Sequence, residues 1–166
     1  DELGVAGGLR GEALELARCH SIDVEVPATT EIVIEGRTVP GKIVIDVTNP
    51  VDFETFDSLV VPAHSSMAAE LADELPSSRV LKAFNTNFAA TLSARNVGPN
   101  TTLVLVAGDD ADAKATFISA VQAGGLDAID AGGLSRAREL EAMGFLQLKL
   151  AASEELGWTG GFGVVR

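Results

Sequence analysis

The sequence predicts an α/β protein with a doubly wound, mostly parallel sheet, and three observations support this. Residues 42–47 (KIVIDV) and 102–107 (TLVLVA) are short apolar runs rich in β-branched residues, which is typical of strands buried on both faces. A third run, 80–86 (VLKAFNT), lies between them. Segments with helical periodicity separate these runs, and such alternation of strand and helix is typical of a parallel sheet covered by helices.

Length and composition fit one cytoplasmic domain spanning residues 1–166. The chain has 24 acidic and 12 basic residues, a net charge of -12, and should therefore repel nucleic acid and anionic membranes. A single cysteine, Cys19, excludes an internal disulfide and fits a reducing compartment. No apolar run has the roughly 18 residues of a membrane span, and the first residues lack the pattern of a signal peptide. We expect a soluble protein that acts on a small-molecule substrate.

The first forty residues contain a predicted helix and a predicted strand. Residues 12–18 (EALELAR) have helical spacing, and residues 21–27 alternate apolar and acidic side chains up to Pro27, as in a strand with one wet face. Residues 28–42 are ambiguous. Their β-branched content favours an extended segment that turns at Gly36, whereas their position between two strands favours a short crossover helix, which we prefer.

The middle of the chain begins with the predicted strand at 42–47, which ends in Thr48-Asn49-Pro50. Residues 51–64 follow as a loop that is long enough to be functional or partly mobile. Ser65 and Ser66 then offer an N-cap for a helix that stops at Pro76.

The remaining elements alternate regularly. The strand at 80–84 runs into Asn85-Thr86, and a short amphipathic segment (88–92) and a polar loop lead to the strand at 102–107. Two aspartates, Asp109 and Asp110, are placed to cap a helix over residues 111–123. A short strand at 126–130 completes the sheet, and a long helix over 134–155 follows it. We expect about five strands, with those at 42–47 and 80–84 in the centre.

Two Asn-containing turns mark the candidate site. In an open parallel sheet, ligands bind outside the carboxyl ends of the strands. If the strands at 42–47 and 80–84 are parallel neighbours, Asn49 and Asn85 emerge at the same edge of the sheet. The alternative is that both asparagines only form turns after strands.

Four segments in this order resemble one family: KIVIDVTNP, SSMAAELADELPSSRVLKAFNT, LVAGDDADA and DAGGLSRARELEAMGFLQLKLA. Together they are similar to the NADP oxidoreductase family that includes deazaflavin-dependent (coenzyme F-420) NADP reductases, over about residues 41–155. The resemblance implies a Rossmann-type domain that binds NADP, with a deazaflavin or flavin as a second redox partner. It implies that the cofactors meet at the strand ends, at Thr48, Asn49, Pro50, Asn85 and Thr86.

The N-terminus departs from the family, whose members open with a strand, a glycine-rich phosphate loop and a helix. In one interpretation, residues 6–11 (AGGLRG) are a degraded phosphate loop. In the other, residues 2–33 correspond to a later part of the half-domain, and the first βα unit is absent. We favour the second, because Val26-Pro27 then falls where the family has its Val-Pro strand end, which adds Pro27 to the cofactor-binding residues. Either interpretation predicts weak binding of NADP(H), since backbone N–H groups that hold the pyrophosphate are lost.

Other candidate residues have plainer explanations. His64, beside Ser65, could donate a proton or contact a substrate phosphate at a helix N-terminus, whereas a solvated loop histidine is the ordinary alternative. A metal site is not expected from two histidines and one cysteine without ligand spacing, and a hydrolase triad lacks its GxSxG turn. The charged residues of the last helix, which are Arg136, Arg138, Glu139 and Glu141, are expected to form surface pairs. One of the two arginines could instead contact an anionic ligand.

Two classes of function remain open at this point. The first is an NAD(P)H-dependent oxidoreductase in which Asn49, Asn85 and Thr86 orient rings while the cofactors carry the hydride. The second is a repurposed or incomplete Rossmann domain that binds a small molecule or a partner subunit without redox chemistry. We also expect a homodimer, because the apolar residues of the last helix cover more than the stripe needed to face one sheet. The resemblance implies pairing through the same region.

Overall fold

The computed structural model describes residues 41–164, which form a mixed α/β sheet with helices packed against it. In chain order its elements are β1 (Ile43–Asp46), α1 (Met67–Glu74), β2 (Arg79–Lys82), α2 (Ala89–Ala94), β3 (Asn96–Val97), β4 (Asn100–Thr101), β5 (Leu103–Gly108), α3 (Ala111–Ala123), β6 (Asp127–Gly132), a 3-10 turn (Leu134–Arg136) and α4 (Ala137–Ala152). The expected features of residues 1–40, including Pro27, lie outside the described residues.

The sheet has the strand order β1-β2-β5-β6. The β1/β2 and β5/β6 pairs are parallel, and the central β2/β5 pair is antiparallel. The fold is thus the predicted Rossmann-like α/β class with a mostly parallel sheet. The β1/β2 pair and the β5/β6 pair run in opposite directions. The carboxyl ends of β1 and β2 therefore lie at one edge of the sheet, and those of β5 and β6 lie at the opposite edge.

The core lies where apolar residues of β2 and β5 meet helix α3. Its largest cluster centres on Leu81, Val104, Val106 and Phe117. Phe84 packs edge-on against Phe117, with ring centroids 5.6 Å apart. A smaller cluster joins Val44, Leu71 and Val80 under α1. The apolar residues of β2 are thus covered on both faces, as expected for a central strand.

Most elements predicted within residues 41–164 are confirmed with small shifts in their bounds. Helix α3 has the predicted bounds, and the Asp110 side chain caps it by accepting a hydrogen bond from the backbone N–H of Ala113 at 2.7 Å. Ser66, the second of the two expected capping serines, caps α1 by accepting from the Ala69 N–H at 3.1 Å. The predicted long helix is shorter, since it begins with the 3-10 turn and α4 ends at Ala152.

The four strands expected within the described residues are all present, and the fifth, predicted at 21–27, lies outside those residues. Strand β2 takes the expected central position between β1 and β5, whereas β1 is the terminal strand of the sheet that the described residues form. One expectation is corrected, and it concerns the connection between α2 and β5. The polar loop expected after α2 contains the two-residue hairpin β3/β4, which turns at Gly98, where φ is 57°. This connection returns the chain alongside β2 and makes β5 antiparallel to it.

The loop between β1 and α1 is held by local bonds. Val51 and Leu59 form an isolated antiparallel bridge. Between them, the Asp52 carboxylate accepts hydrogen bonds from Thr55 Oγ1 at 2.7 Å and from the Glu54 N–H at 3.0 Å, and the hydroxyl and amide donors lower the pKa of Asp52. No helix among the described residues has the length and apolarity needed to cross a membrane.

Candidate functional site

The two Asn-containing turns meet at the carboxyl ends of β1 and β2. We call Thr48, Asn49, Pro50, Asn85 and Thr86 the rim. Asn49 Nδ2 donates to the Asn85 carbonyl oxygen at 2.7 Å, and Asn85 Nδ2 donates to Asn49 Oδ1 at 3.0 Å. The strand-end argument therefore placed these asparagines correctly, since β1 and β2 pair in parallel and end side by side.

Helix α4 covers the rim from one side. Asn85 Nδ2 also donates to the carbonyl oxygen of Leu140 at 2.8 Å, and Asn85 is buried, with 5% exposure. One turn further along, Gly144 lies so close that a Cβ atom there would overlap Asn49 Oδ1 and approach the Asn85 carbonyl oxygen to 2.9 Å. The asparagines thus join two strand ends to a helix.

The rim keeps polar atoms without a partner. Among the described residues, Asn85 Oδ1 and Thr48 Oγ1 are buried and make no hydrogen bond. Buried acceptors without a donor are uncommon and costly, so each calls for an explanation. The residue before Asn85 also has an unusual backbone, since Phe84 has a φ of 64°, the left-handed region that costs an L-residue roughly 1 kcal/mol or more. Such backbone conformations are concentrated at functional sites.

A buried ion cluster lies directly behind the rim. The Lys82 ammonium, with 0% exposure, donates to Asp46 Oδ2 at 2.7 Å, to Glu141 Oε1 at 2.8 Å and to the Thr48 carbonyl oxygen at 2.6 Å. All three ammonium protons are therefore used. Asp46 Oδ1 accepts from the Thr48 N–H at 2.9 Å. The cluster of Asp46, Lys82 and Glu141 consequently bonds both backbone polar groups of Thr48.

Glu141 connects this cluster to helix α1. Its Oε2 accepts from the backbone N–H of Met67 at 3.1 Å, and its Oε1 from that of Ala68 at 3.4 Å. The carboxylate thereby occupies the anion position of a helix N-terminus. Burial raises the pKa of Glu141 above its ordinary value, an effect that the Lys82 charge and the hydrogen bonds only partly oppose.

His64 and Ser65 lie just before α1, where His64 is exposed and Ser65 is half-buried. A phosphate contact at this helix N-terminus is disfavoured, because Glu141 and the Ser66 hydroxyl already accept hydrogen bonds from three of its amides. A substrate role for His64 and Ser65 stays a prediction. Within residues 41–164, no group of three or more acidic, histidine or cysteine side chains could hold a metal ion.

The buried cluster was missed from the sequence, and one expectation was wrong. Arg136 and Arg138 pair with Glu139 at 3.5 and 3.6 Å as expected, but Glu141 turns inward to Lys82. A signal was present, since Asp46 interrupts the apolar run 43–47 and Lys82 interrupts the apolar run 80–84. A charge in a buried strand requires a partner, and opposite charges on neighbouring strands supply one.

Comparison with known proteins gives two kinds of similarity. A family model described as the UbiD 3-octaprenyl-4-hydroxybenzoate carboxy-lyase Rift-related domain matches residues 1–67. This is less than half of the chain, and most of it precedes the described residues. Neither interpretation of the N-terminus from the sequence anticipates this match.

The other similarities include two proteins that are described as reductases. A protein of Arthrobacter sp. FB24 described as an F-420-dependent NADP reductase superposes with a TM-score of 0.68 and 28% identity, over 76% of this chain and 59% of its own. A hypothetical protein of Sinorhizobium meliloti superposes with a TM-score of 0.54 and 27% identity, over 59% of this chain and 48% of its own. The metalloreductase STEAP3 of Rattus norvegicus is 38% identical over 105 residues, which are 62% of this chain and 20% of that protein.

These matches confirm the resemblance to F-420-dependent NADP reductases and to the NADP oxidoreductase family. They support a general oxidoreductase function and NADP as the cofactor. The chain spans one fifth of the metalloreductase and 59% of the Arthrobacter protein, so the activities of those whole proteins remain to be tested here.

Proposed function

We propose that this chain is an NADP(H)-dependent oxidoreductase in which hydride transfer takes place at the rim. The observation that carries the proposal is the meeting of two polar turns, Thr48-Asn49-Pro50 and Asn85-Thr86, at the carboxyl ends of two parallel strands. This is where open α/β sheets bind ligands. The similarity to an F-420-dependent NADP reductase supports the same reaction class.

The rim residues fit the nicotinamide end of such a cofactor. Thr48 Oγ1 and Asn85 Oδ1 can each accept a hydrogen bond, and both lack a donor among the described residues. The carboxamide of nicotinamide supplies N–H donors, so it could satisfy buried acceptors of this kind. When bound, the cofactor supplies the hydride chemistry. Neither side chain titrates near neutral pH, so their role is to bind and orient the ring.

The second redox partner in this proposal is a deazaflavin or flavin, as the Arthrobacter relative's description suggests. We also propose a homodimer formed through α4. Leu146 is 52% exposed on this helix, and Met143 and Phe145 are only half-buried. The predicted cytoplasmic location is part of the same proposal.

A non-redox Rossmann domain that binds a small molecule or a partner subunit is the second candidate. It is favoured by the rim itself, because the Nδ2 groups of Asn49 and Asn85 are engaged with neighbouring protein atoms. A domain that had lost its catalytic role could retain such bonds for stability alone.

Titration with NADPH separates the two candidates. The chain has one tryptophan, Trp158, whose ring centroid lies 5.0 Å from that of Phe88. Phe88 follows Thr86 of the rim by two residues, so the fluorescence of Trp158 offers a direct signal. Because weak binding is expected, the titration should extend to about 1 mM, where even a binding free energy near 4 kcal/mol is detectable.

Oxidation of NADPH by a deazaflavin or by FMN under anaerobic conditions then tests hydride transfer. Asn85→Ala should weaken binding, and Asn100→Ala in the exposed β4 strand should not. Saturable binding with oxidation supports the proposal. Binding without oxidation by either acceptor favours the non-redox candidate, and no binding up to 1 mM contradicts the proposal.

A further inference from the structure

The cluster of Asp46, Lys82 and Glu141 is an unexpected feature for stability alone. Removing an ammonium and two carboxylates from water costs several kcal/mol per ion, and well-packed apolar residues in such places are often as stable or more so. A fully buried ion cluster is therefore poor evidence for a stabilising role. Its retention is better explained by the geometry that it imposes.

That geometry converges on one residue of the rim. Lys82 Nζ donates to the Thr48 carbonyl oxygen at 2.6 Å, and Asp46 Oδ1 accepts from the Thr48 N–H at 2.9 Å. Both backbone polar groups of Thr48 are fixed by the cluster. The next residue is Asn49, whose side chain bonds Asn85.

Helix α4 brings the cluster and the rim together within five residues. The Leu140 carbonyl accepts from Asn85, the Glu141 carboxylate accepts from Lys82, and Gly144 lies against Asn49. One short stretch of helix therefore contacts both rim asparagines and the ion cluster. A shift of this stretch should therefore reach both strand ends.

We infer that Lys82 is a positioning residue of the candidate site, which sets the rim for ligand binding by holding the Thr48 peptide between β1 and α4. The effect on ligand binding rests on the proposed function, which supplies the ligand. The claim that Lys82 holds the Thr48 peptide does not depend on it. It assigns no catalytic step to Lys82, which lies behind the rim without exposure to a ligand.

The test compares two charge-removing variants of the full chain. Asp46→Asn/Lys82→Met/Glu141→Gln neutralises the cluster without leaving an unpaired charge, and it removes the donor to the Thr48 carbonyl. Lys114→Met/Asp130→Asn is the matched control. It removes a partly buried ion pair of 2.8 Å that lies at the opposite edge of the sheet.

Amide hydrogen exchange without ligand is the first measurement. The Thr48 amide bonds Asp46 Oδ1, and the Val51 amide donates to the Asn49 carbonyl oxygen at 2.8 Å. In the neutralised variant, both amides should exchange at least about tenfold faster than in the unmodified chain, while those of Val104 and Val106 in β5 keep their rates. In the control variant, Thr48 and Val51 should be unchanged. Wild-type protection of Thr48 and Val51 in the neutralised variant would overturn the inference.

NADPH affinity is the second measurement, because a purely structural cluster would not affect it once the protein is folded. The dissociation constant should rise about tenfold in the neutralised variant and stay unchanged in the control. Equal affinity in both variants overturns the ligand half of the inference. Absence of NADPH binding by the unmodified chain would instead contradict the proposed function, and the exchange data would still decide the positioning role.

A single substitution keeps the inference testable if the neutralised variant does not fold. Glu141→Gln retains Lys82 and its bond to Thr48, so it should leave the protection of Thr48 and Val51 and the NADPH affinity within about twofold of the unmodified chain. Loss of either would show that Glu141, and not Lys82, holds the rim.

Discussion

Gly144→Ala should destabilise the protein, although helix propensity alone predicts the opposite. Gly144 lies inside α4, where replacing glycine by alanine ordinarily stabilises a helix by about 1 kcal/mol. Here the added methyl group would overlap Asn49 Oδ1 and lie 2.9 Å from the Asn85 carbonyl oxygen. Accommodating it requires α4 to move away or the two asparagines to separate.

The magnitude follows from the bonds at risk. Separating Asn49 from Asn85 breaks hydrogen bonds of 2.7 and 3.0 Å, worth about 1 kcal/mol each. Their buried polar groups would lose their partners, which adds about 1–3 kcal/mol. After subtraction of the propensity gain of about 1 kcal/mol, the free energy of unfolding should fall by about 2–4 kcal/mol.

Urea denaturation of the full chain measures this change. Ala142→Gly is the matched control, because Ala142 is exposed on the same helix and reports the propensity term alone, a loss of about 1 kcal/mol. We expect Gly144→Ala also to weaken NADPH binding, since the rim must shift. An unfolding free energy equal to or above that of the unmodified chain would refute the close packing of α4 on the rim.

Three further predictions concern a helix cap, a pH dependence and an interface. Ser66→Ala should lower the unfolding free energy by about 1 kcal/mol through loss of the α1 cap, whereas Ser77→Ala at an exposed position should be neutral in the same urea assay. Because burial raises the pKa of Glu141, the folded chain takes up a proton before the unfolded chain as the pH falls. The contribution of Glu141 to the unfolding free energy should therefore grow as the pH decreases from its raised pKa towards 4.5. This contribution should be absent in Glu141→Gln, and identical pH profiles of the two proteins would contradict the expectation. Phe145→Glu should shift a dimer towards monomer in sedimentation velocity or make the chain insoluble, and an unmodified chain that is already monomeric at roughly tens of micromolar would exclude the α4 interface.

Sequence patterns predicted the helices and strands that have strong local signals. Helix α3 was predicted with its observed bounds because Asp110 gives it a clear cap and Gly124 a clear end. The hairpin β3/β4 was not predicted, since strands of two residues show no periodicity. Without that hairpin, the sequence could not show that β5 turns antiparallel to β2.

The rim could be predicted from the sequence, whereas the buried cluster behind it could not. Asn49 and Asn85 follow recognisable strands, so the rule for strand ends placed them together. The partnership of Lys82 with Glu141 spans 59 residues and depends on how α4 packs across the sheet. Local patterns contain no information on that packing, and the propensity of Glu141 for a helix surface favoured the wrong answer.

Because β2 and β5 are antiparallel, two strands end at each edge of the sheet. The polar groups at the two edges differ. At the β5/β6 edge, Asp110 caps α3 at 2.7 Å, Asp109 accepts from the Leu134 N–H at 2.8 Å, and Lys114 bonds Asp130 at 2.8 Å. These groups are satisfied by the chain itself, and the buried atom of residues 41–164 that lacks a partner at this edge, Arg79 Nε, is a donor and not an acceptor. At the β1/β2 edge, buried acceptors of the rim lack donors among the described residues. Because unsatisfied buried acceptors favour a ligand that brings donors, the β1/β2 edge is the one that should bind it.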